Sequence, residues 1–151
     1  MAVTQHPVLG PSALGKTIAR RLAAVVVPHG RRLPRLADVY PGAPTSGRWV
    51  GLRTVPTDCI RGTASLAPTR ARDFRPLRDR EPADWAFRWS RLTSTAFDQA
   101  VLPPVQLLRA GGDYWVVDGH NRVALARERG QVWIDAEVTE LDLGSGNGAA
   151  C

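Results

Sequence analysis

Between Pro104 and Leu141 the side-chain period changes twice, from strand to helix and back, and this succession constrains the fold more than any other feature of the chain. Pro104 to Arg109 and Tyr114 to Asp118 are strand-like runs separated by Ala110-Gly111-Gly112-Asp113, whose glycines permit the positive φ of a tight hairpin turn. The two runs are expected to pair antiparallel. At Asp118-Gly119 the pattern switches to a helix that ends at Gly130. Val132 to Leu141 then alternate, with Ile134, Ala136 and Val138 on one face and Asp135, Glu137 and Thr139 on the other, as a half-exposed strand would. Hairpin, helix and strand in this order predict an α+β domain.

Upstream, Trp49 to Val55 read as a first strand closed by Pro56, with Thr57-Asp58 opening a short turn or helix. Residues 61 to 81 are Arg-rich and irregular. There, Arg70, Arg72, Arg75, Arg78 and Arg80 alternate with Asp73, Phe74 and Asp79, a pattern compatible with a phosphate or nucleic-acid surface but read as a solvated loop. From Pro82, Trp85, Trp89, Leu92 and Ala96 recur at helical spacing and predict a helix to about Gln99 with its apolar stripe in the core. Trp115 and Trp133 are expected on adjacent strands, packed across them.

The charge is unevenly placed. Residues 1 to 48 hold seven Lys or Arg against Asp38 alone, and the rest of the chain is balanced, so the whole net charge of +6 sits in the first third. Within it, Ser12 can cap a helix carrying Leu14, Ile18, Leu22 and Val25 on one face and Lys16 and Arg20 on another, ended by Gly30. Pro34, Pro41, Gly42, Pro44 and Gly47 follow as a linker. The expected organisation is a basic N-terminal helical arm and linker at 1–46, a folded domain at 47–142, and a flexible tail at 143–151. Such an arm suits DNA, anionic lipid or an acidic protein.

No run approaches the roughly 20 apolar residues of a membrane span, and Leu22 to Val27 after Arg20-Arg21 are too short for a signal peptide. A cytoplasmic protein is expected. Cys59 and Cys151 form no CxxC, so neither a disulfide framework nor a metal site is predicted. Gly10 to Thr17 match GxxxxGK[ST], but Gln5, His6 and Pro7 spoil the strand that should precede a phosphate loop, so the match is set aside.

The chemistry is expected at the turn into the last helix. Gly119 permits close backbone approach, and the first N–H groups of the helix, at residues 120 to 122, carry the positive end of its dipole. Arg122, about 100° from Val123 around the helix, falls on the inward side and needs an anion or another partner. Its fork suits two phosphate oxygens, and His120 and Asn121 add donors at the same mouth. Asp118 could accept a hydroxyl proton as a catalytic base, bind a metal ion, cap the helix, or orient Arg122. A structural ion pair of Arg122 with Asp118 or with an acid of the last strand is the competing expectation.

The stretch LPPVQLLRAGGDYWVVDGHNRVALARERGQVWIDAEVTEL, Leu102 to Leu141, resembles the ParB/sulfiredoxin-like superfamily, in particular its ParB N-terminal domain class. In that class a hairpin leads into a GxxR turn and helix that bind nucleotide phosphates; Gly119, Arg122 and Ala126 stand at matching positions, and VGLRTVPTDCI, Val50 to Ile60, is similar to the opening strand and turn. The resemblance implies a small mixed sheet flanked by helices. It implies a nucleotide or other phosphate-bearing ligand held by Gly119, His120, Asn121 and Arg122, with CTP or another nucleoside triphosphate and Mg²⁺ as cofactor, and DNA association through the arm.

Three departures narrow it. The chain stops about ten residues after its last strand, so the helix-turn-helix of a complete chromosome-partition protein is not expected. Sulfiredoxins carry a catalytic Cys just before the His-Arg of their turn, where this chain reads Gly119-His120-Asn121-Arg122. Free-serine kinases of the superfamily carry a DGHHR turn close to this DGHNR, but also a Glu after the first strand, and Ile60 to Ala64 contain no acid. A small-molecule kinase, with Asp58 or Asp118 as base, is therefore the alternative function. The base, the acceptor and the oligomeric state, with a homodimer as one option, are left open.

Overall fold

The computed structural model describes residues 32–44, 46–67, 69–97 and 101–144. The N-terminal helix, the phosphate-loop match and most of the tail therefore lie outside the described residues. In chain order the elements are α1 (Leu36–Val39), β1 (Arg48–Pro56), β2 (Ile60–Thr63), α2 (Trp85–Phe97), β3 (Val105–Ala110), β4 (Asp113–Asp118), α3 (His120–Glu128) and β5 (Trp133–Glu140). A short 3-10 turn, Thr57–Cys59, joins β1 to β2. The five strands form one mixed sheet in the order β1-β5-β3-β4-β2. The architecture is α+β, a small mixed sheet flanked by helices, as the sequence predicts.

The hairpin forms as expected. β3 and β4 pair antiparallel through Ala110 and Asp113, with Gly111 and Gly112 both at positive φ between them. β5 lies in the interior of the sheet, antiparallel to β1 on one side and parallel to β3 on the other. Its alternation is read by burial: Ala136 and Val138 are buried while Asp135 and Glu137 are exposed. The main core gathers Val55, Ile60, Val105, Leu107, Val116, Ala136 and Val138 from the strands under Val123 and Ala124 of α3 and Phe74 of the loop.

Three expectations change. Ile60 to Thr63 form β2, parallel to β4, a strand too short and too rich in Arg and Gly to show in the sequence. The Arg-rich segment is not a solvated loop, because Ala71 and Phe74 are buried and its backbone closes on itself through Phe74 N–H to Ala71 O and Ala71 N–H to Arg75 O, each 2.9 Å. Phe74 reaches its place at φ 67, a conformation that a bulky residue holds only when burial fixes it. The stretch read as linker also packs: Leu33 and Leu36 are buried, and Thr63 N–H donates to Pro34 O at 2.9 Å. Pro34, read as linker, here fixes an extended stretch of chain whose next residue, Arg35, bridges Thr63 at the edge of β2.

The aromatic expectations also shift. Trp115 of β4 and Trp133 of β5 are not neighbours, since β3 runs between their strands. Trp115 is fully buried and meets Tyr40 edge-on at 6.3 Å, whereas Trp133 stands half exposed beside Pro56. Trp85 and Trp89 of α2 are only partly buried, so the stripe assigned to the core is half at the surface. Finally, Cys59 is disulfide-bonded where no disulfide was predicted; its partner lies outside the described residues. The absence of a CxxC spacing does not bear on which cysteines the fold brings together. No helix among the described residues is long and apolar enough to cross a membrane.

Candidate functional site

β2 and β4 run parallel and side by side, so their carboxyl ends open at the same rim of the sheet, where α3 begins. Ligands of open sheets with parallel strands settle at such carboxyl ends. The rim is made by Thr63 at the end of β2, Asp118 at the end of β4, the Gly119 turn, and Arg70 from the loop that follows β2.

Gly119 caps α3 at φ 95 and ψ 22, the left-handed conformation that side-chain-bearing residues rarely adopt. A Cβ there would meet Val105 Cγ1 at 2.7 Å and Arg122 Cζ at 3.1 Å, so space as well as conformation demands glycine. Val123 N–H makes the first intrahelical bond, to Gly119 O at 3.0 Å. The N–H groups of His120, Asn121 and Arg122 precede it and are those that a helix leaves without an internal partner. No side chain caps them.

Arg122 is committed elsewhere. Its Nη1 donates to Pro103 O at 2.5 Å and Pro104 O at 2.7 Å, and its Nη2 to Asp118 Oδ2 at 2.7 Å. The side chain is 18% exposed and its carboxylate partner 69% exposed. The competing expectation of an Asp118–Arg122 ion pair is thus met, and the guanidinium pins the chain entering β3 against the turn. An ion pair with so exposed an acid is weak in itself, so the two carbonyl contacts and the shape they impose are the larger effect.

Arg70, which the sequence placed in a solvated loop, takes the position foreseen for Arg122. Its Nη1 donates to Asn121 Oδ1 at 2.6 Å and to Phe74 O at 3.2 Å. Burial first, and the positive charge of Arg88 second, lower its pKa, and no carboxylate offsets either among the described residues. A partly desolvated cation whose hydrogen bonds among the described residues all go to neutral oxygens can still take an anion. Because Asn121 Oδ1 accepts from Arg70, the Nδ2 hydrogens of that amide turn away and remain as donors. Only the surplus of arginine in the segment hinted at this role; the loop's closure on Phe74 brings Arg70 across 51 residues of sequence to the turn.

His120 is partly buried at the same mouth. Its Nε2 lies 2.9 Å from Thr63 Oγ1, which also accepts Ser65 N–H at 3.0 Å. Burial, reinforced by Arg70 and opposed by Asp118, pushes the imidazole down to about 4, so the ring is neutral near pH 7. The Phe74 ring stands 6.5 Å away, tilted by 40°. Beyond it Arg127, at the other end of α3, lies 4.6 Å from the Phe74 centroid and donates to Thr57 O and Ile60 O. Burial lowers the Arg127 pKa and Asp58 opposes that shift, which places Asp58 with Arg127 at the start of β2. The rim is at the opposite end of that strand, so Asp58 is separated from it by the length of β2. Asp118 is then the acid at the turn.

Asp118 keeps Oδ1 while Oδ2 holds Arg122. Among the described residues no group of three His, Cys, Asp or Glu side chains is placed to hold a metal ion. One free carboxylate oxygen still fits Mg²⁺ carried in by phosphates, because such an ion needs only one or two protein carboxylates and takes its remaining ligands from phosphate and water.

No protein-family model matches the chain, and no curated protein matches it. Among solved structures, the sulfiredoxin from Arabidopsis thaliana is similar at a TM-score of 0.41 and 18% identity, over 59% of this chain and 84% of that chain.

Proposed function

We propose that the rim binds a phosphate-bearing small molecule, a nucleotide of the CTP type carrying Mg²⁺, at Gly119, His120 and Asn121 with Arg70 as the cation. Arg122 and Asp118 shape the turn. The observation that supports this most is the Arg70 guanidinium, 2.6 Å from Asn121 Oδ1 beside the open N-terminus of α3 and balanced by no carboxylate among the described residues. A phosphate there would gain the helix dipole, the backbone N–H groups of residues 120 to 122 and the guanidinium fork together. Mg²⁺ would be held by the phosphates and Asp118 Oδ1, and would supply charge neutralisation. The ParB-like resemblance of the DGHNR turn points to the same class of ligand, and association with DNA through the basic arm belongs to the same reading.

Calorimetric titration with nucleoside triphosphates separates the two arginines. Arg70→Ala should weaken binding about 10- to 100-fold, following ~1.5–3 kcal/mol for hydrogen bonds to charged groups. Arg122→Ala should lower thermal stability by ~1–3 kcal/mol by releasing the Pro103 and Pro104 carbonyls, and alter affinity less. Unchanged affinity in Arg70→Ala rejects the clamp.

Phosphate transfer in the manner of a small-molecule kinase is favoured by one observation alone, the exposed and half-committed Asp118. If it occurs, labelled phosphate from the γ-position appears on a hydroxyl compound and is lost in Asp118→Asn. A screen of amino acids and hydroxyl compounds that yields no labelled product leaves binding as the function.

A further inference from the structure

The phosphate rim adjoins a surface that the proposed clamp does not use. Trp85 and Trp89, one turn apart on α2, stack with ring centroids 5.1 Å apart and planes inclined by 34°. Each end of this pair faces a guanidinium, and the two ends differ. At the Trp89 end Arg75 lies close, 4.7 Å from the centroid, and is neutralised by Glu128 at 2.7 Å. At the Trp85 end Arg70 stands at 6.0 Å, the outer reach of a cation–π contact, and its hydrogen bonds go to Phe74 O and Asn121 Oδ1. A stack serving stability alone has no need of this asymmetry. Close packing and charge balance at both ends would hold α2 better.

We infer that Trp85 is the platform on which the aromatic base of the ligand lies, with Arg70 joining the base to its phosphates. This rests on the phosphate reading and narrows it to ligands that carry a planar ring beside an anion, which describes a mononucleotide. The geometry supports the pairing, since one guanidinium lies over the indole, 6.0 Å from its centroid, and donates to the Asn121 amide of the turn at 2.6 Å. Arg88, in the turn of α2 that follows Trp85, adds positive charge near Arg70 and is held by Asp84 at 2.5 Å. Trp85 is partly exposed, as a stacking surface must be. Indole stacking accepts every base, so the platform supplies affinity for nucleotides as a class.

Calorimetry on the full chain with nucleoside triphosphates, and with inorganic tripolyphosphate as a probe without a base, tests this. The wild-type chain should bind the nucleotides at least tenfold more tightly than tripolyphosphate. Trp85→Leu should lose about tenfold toward nucleotides and nothing toward tripolyphosphate, and Trp85→Phe should recover most of the loss. The platform is overturned if wild-type protein binds both probes equally well, or if Trp85→Leu weakens both alike. If neither probe binds the wild-type chain, the phosphate rim fails and the platform with it; if tripolyphosphate binds and a base adds nothing, only the platform fails.

Discussion

Single residues at the rim divide into those that shape it and those left free to act. Gly119 shapes it. Gly119→Ala should cost ~1–3 kcal/mol, because an alanine at φ 95 is strained and its Cβ would crowd Val105, and a lowered denaturant midpoint with an unchanged slope would record this. His120 ties stability to pH. Its folded pKa of about 4 lies below the ordinary 6.5, so the unfolded chain takes up a proton first as pH falls. Stability contributed by the neutral ring is complete above about 6.5, declines as pH falls toward 4, and is lost below it. The difference in melting temperature between wild type and His120→Gln should therefore narrow across that window; a constant difference would show that the ring does not titrate there. The five residues of the turn were legible in sequence because glycine, a helix start and a strand end coincide at one place. The division of labour between Arg122 and Arg70 was not, since spacing reveals that an arginine points inward but not which oxygens wait for it.

Among elements, those with a strong period were visible and those held by tertiary contact were not. β5 and the β3–β4 hairpin announce themselves by alternation and by paired glycines, and all three form where the sequence puts them. β2 has four residues, two of them Arg61 and Gly62, and exists because β4 offers it an edge. The loop after β2 owes its order to Phe74, whose ring fills the space between His120 and Arg127. Its carbonyl also meets Arg70, so the residue that anchors the loop aims the cation. α2 shows the converse. Its stripe is helical as predicted, and Trp89 packs on the core, but both indoles also face guanidinium groups, a distinction that hydrophobic periodicity does not make.

Across the whole molecule, residues 1–31 carry four of the six net positive charges, as Lys16, Arg20, Arg21 and Arg31 with no acid among them. The first buried residue described is Leu33, so removal of residues 1–31 spares every described core contact. If the arm carries DNA association, that truncation should abolish a steeply salt-dependent affinity while leaving the melting temperature and nucleotide binding unchanged. Binding to DNA retained by the shortened chain would move the contact onto the folded part. The sheet order has its own outcome. β1 pairs only with β5 among the strands, and β5 is the last to be made, filling the gap between the first strand and the third. A growing chain therefore holds β1 without its strand partner until β5 has left the ribosome, so the sheet closes only after its other four strands have been made.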